Sequence, residues 1–388
     1  MNYVDIACRN VQLEEGRQVV EQLLIESYLK PGISTKELSR SLKIPVPITV
    51  AIRNELAKAG ALISSRGTRC TLHGKRFVEF ELGYQSFKKE LWNEIKNSGH
   101  SFKLEELLER YQDIYNLRPQ INAAIDQSKC TSQTSFKRAI HALQSNFVIG
   151  KKILCLGDDD LVSVSLAIIL KELLPNRNVH TKIQVIDMDN NVLEYIGDIS
   201  QQYNLGIDCL QGDLREPLPT EMMGKFDCIF TDPPYTLTGL SLFLSRGIEA
   251  LKNEIGLKIY LSYSHKHPNF MLNIQEELTN LGLSATEIIP NFNEYEGAQI
   301  LGGSGQLITL STTNKTTSLH TDKFEVPLYT GEIKQTLRKY ICKRCSRIYH
   351  VGLEQNFTTI EQLKEEGCSA CQHNTFNLIK RQVKKFEK

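Results

Sequence analysis

Gly157-Asp158-Asp159-Asp160 sets three carboxylates in a row at the end of a short apolar run, Ile153 to Leu156. A turn of that composition attracts cations and repels anions. Further on come Asp187 and Asp189, Asp213 after Gln211-Gly212, and Asp232-Pro233-Pro234-Tyr235. Each follows an apolar run of strand length. In the last motif the prolines stiffen the backbone, and the first disfavours helical dihedrals at Asp232. A carboxylate is thereby pinned beside an aromatic ring. Such a loop can receive an amine: oxygens accept its N–H bonds and the ring face covers the cation or base. Near the end, Cys342 and Cys345, then Cys368 and Cys371, form two CxxC pairs with 22 residues between them. Two such knuckles predict a closed four-thiolate zinc site that folds a small ribbon.

The elements that must position these groups alternate. Strands are expected at Ile153 to Leu156, Lys182 to Ile186, Gly206 to Leu210, Phe226 to Phe230 and Leu257 to Ser262. Helices fall between them, the first being the nearly all-apolar Leu161 to Leu170. Runs near Thr286 to Ile289 and Gln306 to Leu310 would close the sheet. Strand and helix in alternation imply a parallel α/β sheet with right-handed crossovers. In such a sheet the strand ends share one edge, so four strand-end acids converge on one cleft. By position, Asp187 or Asp189 suits a ribose diol, and Asp213 the amino group of adenine. A single strand-end aspartate is ordinarily a helix N-cap. Four in succession point to a shared nucleoside-type site.

Four segments follow. Residues 1–80 read as a winged helix-turn-helix, with Ser34 and Glu37 as a capping box and a hairpin from Ala61 to Leu72. Residues 81–150 are a helical connector carrying a polar loop from Leu117 to Thr134. Residues 151–330 are the Rossmann-like domain, and 331–388 the four-cysteine zinc-binding domain. No apolar run approaches the ~20 residues of a membrane span. The start lacks a secretory pattern, and the scattered cysteines suit a reducing cytoplasm. The net charge of +1 divides into about +4 for 1–90, about −9 for 91–330 and about +6 for 331–388. An acidic middle disfavours a phosphate-rich substrate and tolerates a cationic one. The basic ends could touch nucleic acid through Arg53, Lys58, Arg66 and Arg69, or Lys339, Lys343, Arg344 and Arg347, or pair with the middle.

DPPY after the fourth strand resembles amino-directed methyltransferases, and the predicted fold is that of class I S-adenosylmethionine enzymes. In those enzymes the first turn holds the methionine carboxylate, which three aspartates would repel. Decarboxylated S-adenosylmethionine lacks that carboxylate and ends in an ammonium, which the turn from Gly157 through Asp158 would attract. GDDD together with DPPY resembles the branched-chain polyamine synthases, the N4-bis(aminopropyl)spermidine synthases. The likeness runs from about 118 to 330 through Arg118-Pro119, Asp126-Gln127, GDDDL, DMD, GDLREPLP, TDPPYTLTGLSLFLSRGI and Asn293-Glu294-Tyr295. It implies aminopropyl transfer to spermidine or a similar linear polyamine, with methylthioadenosine leaving. It also implies a proton acceptor in the GDDD turn, Asp160 or Asp159, with Asp232 and Tyr235 positioning the amine. Glu294 and Glu296 would hold the distal ammonium, and such enzymes are commonly dimers. Two other readings explain less: a nucleic-acid amino-methyltransferase leaves GDDD unexplained, and a polyamine-sensing DNA-binding regulator needs no catalytic groups.

Overall fold

Four consecutive residues of the central strand show why the sheet forms where it does. Ile153, Leu154, Cys155 and Leu156 have no exposed surface, because helices cover both faces of the sheet. A strand buried on both sides reads as a continuous apolar run. The computed structural model describes residues 2–96, 102–175, 181–296, 303–352, 355–357 and 359–385.

The N-terminal part has helices Tyr3–Val11, Gln18–Leu29, Thr35–Leu42 and Val46–Lys58, then a ribbon of β1 (Leu62–Ile63) and β2 (Arg69–Cys70). The Ser34–Glu37 capping box forms as expected. Its basic groups are largely engaged within the domain. Arg53 donates to Thr35 Oγ1, Lys58 pairs with Glu55 at 2.6 Å, and Arg69 donates to the carbonyls of Ser65 and Arg66. Helix Gln18–Leu29 lies against the larger domain, where Lys151 meets Gln18 and Glu21.

The large sheet comprises β3 (Lys152–Leu156), β4 (Lys182–Asp187), β5 (Ile207–Gln211), β6 (Cys228–Thr231), β7 (Lys258–Ser264), β8 (Leu283–Glu294) and β9 (Ser304–Thr312). Their order is β5-β4-β3-β6-β7-β9-β8. The first five are mutually parallel, whereas β9 runs antiparallel to β7 and β8. The sheet is therefore mixed rather than wholly parallel. The cause is local: no helix separates β8 from β9 among the described residues, and a direct connection between neighbours gives antiparallel pairing. The two late apolar runs do close the sheet, as this hairpin. Strand order reverses between β3 and β6, and there the ends of both strands open a crevice.

The chain then forms a separate three-stranded sheet, ordered β11-β10-β12, from β10 (Lys334–Cys342), β11 (Ile348–Val351) and β12 (Phe376–Lys385).

Candidate active site

The crevice is a cleft of ≈ 630 Å³ of empty space, open at its mouth. Its floor comes from the strand ends: Gly157 and Asp159 after β3, Asp187 and Met188 at β4, Gly212 and Asp213 after β5, and Asp232 to Tyr235 after β6. Its roof comes from two segments outside the sheet, Ile125 to Ser128 and Leu328-Tyr329. The roof halves meet where Thr330 N–H donates to Asp126 Oδ2 at 2.7 Å. Among the described residues the lining includes five aspartates (126, 159, 187, 213 and 232) and no lysine or arginine.

The GDDD turn divides its three carboxylates among three tasks. Gly157 sits at φ +71, where glycine turns the chain without strain, and its N–H donates to the Ile186 carbonyl. Asp158 accepts the first amides of helix Val162–Leu173, from Val162 at 2.8 Å and Ser163 at 3.1 Å. Its expected contact with the co-substrate is therefore corrected. It is a buried capping group turned away from the cleft, the ordinary fate of a strand-end aspartate. Asp159 faces the cleft and accepts the Ser128 N–H at 2.9 Å. Asp160 accepts the Cys130 N–H at 2.6 Å and the Arg138 guanidinium at 2.7 Å. The last two thus clamp the loop that carries the roof.

Asp232 is the most exposed to chemistry. Its Oδ2 accepts from Tyr295 Oη at 2.7 Å and Arg138 at 3.1 Å. Its Oδ1 is buried and takes no hydrogen bond among the described residues. A buried acceptor in that condition carries an unmet desolvation cost of ~1–3 kcal/mol, which an incoming N–H would relieve. Burial pushes the Asp232 carboxyl up to about 7; the Arg138 charge opposes this and the Asp160 charge adds to it. Burial raises Asp159 well above the usual carboxylate range, with the charges of Asp160, Asp187 and Asp232 adding to it. Asp158 reaches about 7, and Asp126 and Asp187 are raised, all chiefly by burial.

These shifts fix the sign of a pH effect. A carboxyl raised above its unfolded value of ~3.9 holds a proton in the folded chain that the unfolded chain has released. The stability it contributes is present below that unfolded value and is lost as pH rises through the folded one, here about 7. The melting temperature of the ligand-free protein is therefore expected to fall between pH 5 and pH 8. Spermidine, by supplying positive charge to the cleft, should recover part of that fall at pH 8. Scanning calorimetry checks both; a melting temperature that climbs with pH over this range would remove the argument.

The remaining expected residues separate cleanly. Asp187 lines the cleft while accepting the amides of Asp158 and Asp189. Asp189 caps helix Asn190–Gln202 and accepts Gln127 Nε2 at 2.9 Å, so it anchors the roof loop from outside the cleft. Asp213 lines the cleft and pairs with Arg215 at 2.9 Å. Tyr235 lies in the wall, edge-on to Tyr263. Glu294 and Glu296 do not reach the cleft. Both are exposed, and Glu296 pairs with Arg118 at 3.3 Å. Side chains alternate along extended chain, so the inward positions are those of Asn293 and Tyr295. Arg138 was not anticipated. It is 3% exposed in the middle of helix Ser132–Gln144 and binds Asp160, Asp232, Tyr295 Oη and Asn293 Oδ1. The available signal was one arginine on a helix face otherwise made of Ser135, Ala139 and Ala142, too small to cover a charge.

The four sulfurs of Cys342, Cys345, Cys368 and Cys371 lie within 4.8 Å of one another. Cys342–Cys371 is 3.6 Å and Cys345–Cys368 is 3.3 Å. A tetrahedron with Zn–S of ~2.3 Å has S–S edges of roughly 3.8 Å, so the donor set fits one four-coordinate ion.

Sheet order and cleft together define an α/β fold with an acid-lined crevice at the point where strand order reverses. Residues 106–336 match the family model described as Branched-chain polyamine synthase A C-terminal domain. An uncharacterized protein of Methanocaldococcus jannaschii is 37% identical over 98% of this chain and 93% of its own length. The N(4)-bis(aminopropyl)spermidine synthase of the same organism is 29% identical over 70% of this chain and 77% of its own. That of Thermococcus kodakarensis is 30% identical over 65% and 70%. The crystal structure of the branched-chain polyamine synthase from Thermus thermophilus, in complex with N4-aminopropylspermidine and 5'-methylthioadenosine, shares the fold. Its TM-score is 0.52 at 22% identity, over 85% of this chain and 97% of that one. The chain belongs to the branched-chain polyamine synthase family.

Proposed function

We propose that this protein is an aminopropyltransferase. It moves aminopropyl groups from decarboxylated S-adenosylmethionine to the secondary amine of spermidine or a related linear polyamine. The observation that carries the reading is the cleft lined, among the described residues, by five carboxylates without a lysine or arginine. Both reactants are cations and neither bears a carboxylate. A methionine carboxylate or a nucleic-acid phosphate would face five acidic side chains there.

Asp187 faces the ribose and Asp213 the adenine amino group, which sets the sulfonium toward Asp159 and Asp232. Tyr235 and Pro234 wall the acceptor. The acceptor nitrogen attacks the propyl carbon beside the sulfonium; the C–S bond breaks and its electrons stay on the departing thioether sulfur. The proton of the attacking nitrogen passes to Asp232 Oδ1 and then to solvent. This moves the base role away from Asp160, whose carboxylate is committed to Arg138 and to the Cys130 amide. Asp159 attracts the donor's terminal ammonium.

The four thiolates hold one zinc ion that folds the tail, and metal analysis is expected to return one zinc per chain. Residues 1–80 are read as a winged-helix domain that packs on the transferase domain. The deciding experiment is mass spectrometry. The protein is incubated with spermidine and decarboxylated S-adenosylmethionine, and in parallel with S-adenosylmethionine and RNA or DNA. Mass gain of one or two aminopropyl units on spermidine, with methylthioadenosine released, is expected. Methylated nucleic acid, or no product in either arm, overturns the assignment.

A further inference from the structure

The cross-strand register of the C-terminal sheet presents a problem that the fold does not solve by itself. Strands β10, β11 and β12 carry seven lysines and arginines and no acidic residue. Arg338 stands directly opposite Arg381, and Lys339 directly opposite Lys380. Like charges in that relation destabilise a sheet. None of the four is in an ion pair among the described residues. Lys380 and Arg381 are exposed on an edge strand, and Arg338 and Lys339 are half-exposed. The family match ends at residue 336, so the catalytic reading leaves this arrangement unexplained.

We infer that the β10–β12 edge of the C-terminal sheet is a docking surface for duplex DNA, with Arg338, Lys339, Lys380 and Arg381 set against phosphates. Charge complementarity requires a polyanion, and the register selects among polyanions. Neighbouring residues of a strand point to opposite faces, so the Arg338–Arg381 pair and the Lys339–Lys380 pair lie on opposite sides of the ribbon. A membrane surface is a plane and can meet only one of those faces. A groove has phosphate walls on both sides, and the free β12 edge of the three-stranded sheet, opposite β11, is the side that can enter the wide major groove of B-form DNA. Half-exposed Tyr340 follows Lys339 and adds an aromatic group beside the charges. The four charges are set against phosphates, so binding is read as chiefly electrostatic.

The test uses the full-length zinc-loaded protein and fluorescein-labelled 20-base-pair duplexes, one of RNA and one of DNA, without polyamine. Anisotropy is read from 50 to 300 mM KCl. Micromolar binding at low salt is expected, with log K falling against log salt at a slope of about −3 to −4 for four displaced counterions. Arg338→Gln/Lys339→Gln/Lys380→Gln/Arg381→Gln should weaken binding at least tenfold and flatten the slope, with aminopropyl transfer unchanged. Should that variant lose its zinc, Lys380→Gln/Arg381→Gln on the edge strand gives the same reading at smaller amplitude. The RNA duplex, whose A-form major groove is too narrow to admit the strands, is expected to bind more weakly than the DNA duplex. Three results overturn the inference: no anisotropy change with 50 mM KCl, equal affinity of variant and parent, or tighter binding to phosphatidylserine vesicles than to either duplex.

Discussion

Asp232→Asn is expected to lower kcat for aminopropyl transfer by about 10²–10⁴-fold, the range a positioned proton acceptor supplies. Substrate affinity should change far less, because the amide keeps an oxygen for an N–H donor and the cleft keeps four other carboxylates. The pH dependence separates this role from simple charge loss. A base must be ionised, and the Asp232 carboxyl is raised to about 7 by burial. In the parent, kcat/KM should therefore rise through about pH 7 and rise again where the acceptor amine loses its own proton. In the Asn variant the first limb should vanish and the second remain. Because Asp159, Asp160 and Asp232 interact, that limb reports the carboxyl cluster, and the substitution identifies which member it needs. Single-turnover mass spectrometry across pH 5.5 to 9 checks it. If Asp159→Asn removes the first limb and Asp232→Asn leaves it, the base is Asp159.

Much of this site was legible in the sequence because the fold concentrates chemistry at strand ends. An apolar run that stops at an aspartate shows both the strand and its edge, so the acids of β3 to β6 could be placed in one crevice from the residues alone. What could not be read was where each carboxylate points. Asp158, Asp159 and Asp160 are adjacent, yet one caps a helix, one faces the cleft and one meets an arginine. Those orientations follow from turn dihedrals, which a run of identical residues does not encode. Glu294 and Glu296 failed for a simpler reason. Glu294 ends strand β8 and Glu296 lies in the turn that follows, and the alternation of extended chain turns Asn293 and Tyr295 inward instead. Arg138 lay outside the strand-end pattern altogether. Its partners are 22 and 94 residues away in sequence, and no local rule joins them.

The comparison with relatives sharpens what should be measured. The similarity to the uncharacterized M. jannaschii protein spans nearly the whole chain, most of the four-cysteine tail included, whereas the named synthase of that organism aligns over 70% of it. One genome thus encodes two proteins of this kind. Selection retains two copies most readily when they differ in acceptor or in location. The first would appear as a different product spectrum from a panel of linear polyamines. The second is what the docking surface inferred for the C-terminal sheet would provide, since a branched polyamine is a polycation and nucleic acid is its natural counterion.

Arg138→Met is expected to be the most damaging single substitution outside the cleft lining. The guanidinium is the only basic group within 4 Å of Asp160 and Asp232 among the described residues, and all three side chains are largely buried. Breaking a buried pair from one side leaves an uncompensated charge and costs about 3–5 kcal/mol, or a melting-temperature drop of roughly 4–6 °C in a chain of this size. A second effect is independent of stability. The Arg138 charge holds the Asp232 carboxyl below where burial alone would put it, so its removal moves the pH limb of kcat/KM upward. Arg138→Met/Asp160→Asn separates the two. With the second carboxylate neutral, the buried charge to be compensated is halved, and thermal stability should return in part. Asp232 then loses Asp160's raising influence together with Arg138's lowering one, and the limb should move back toward about 7. A double variant as unstable as the single one would mean that Arg138 acts by filling space. A limb at the same pH in all three proteins would mean that Arg138 does not tune Asp232 and that the proton acceptor lies elsewhere in the cleft.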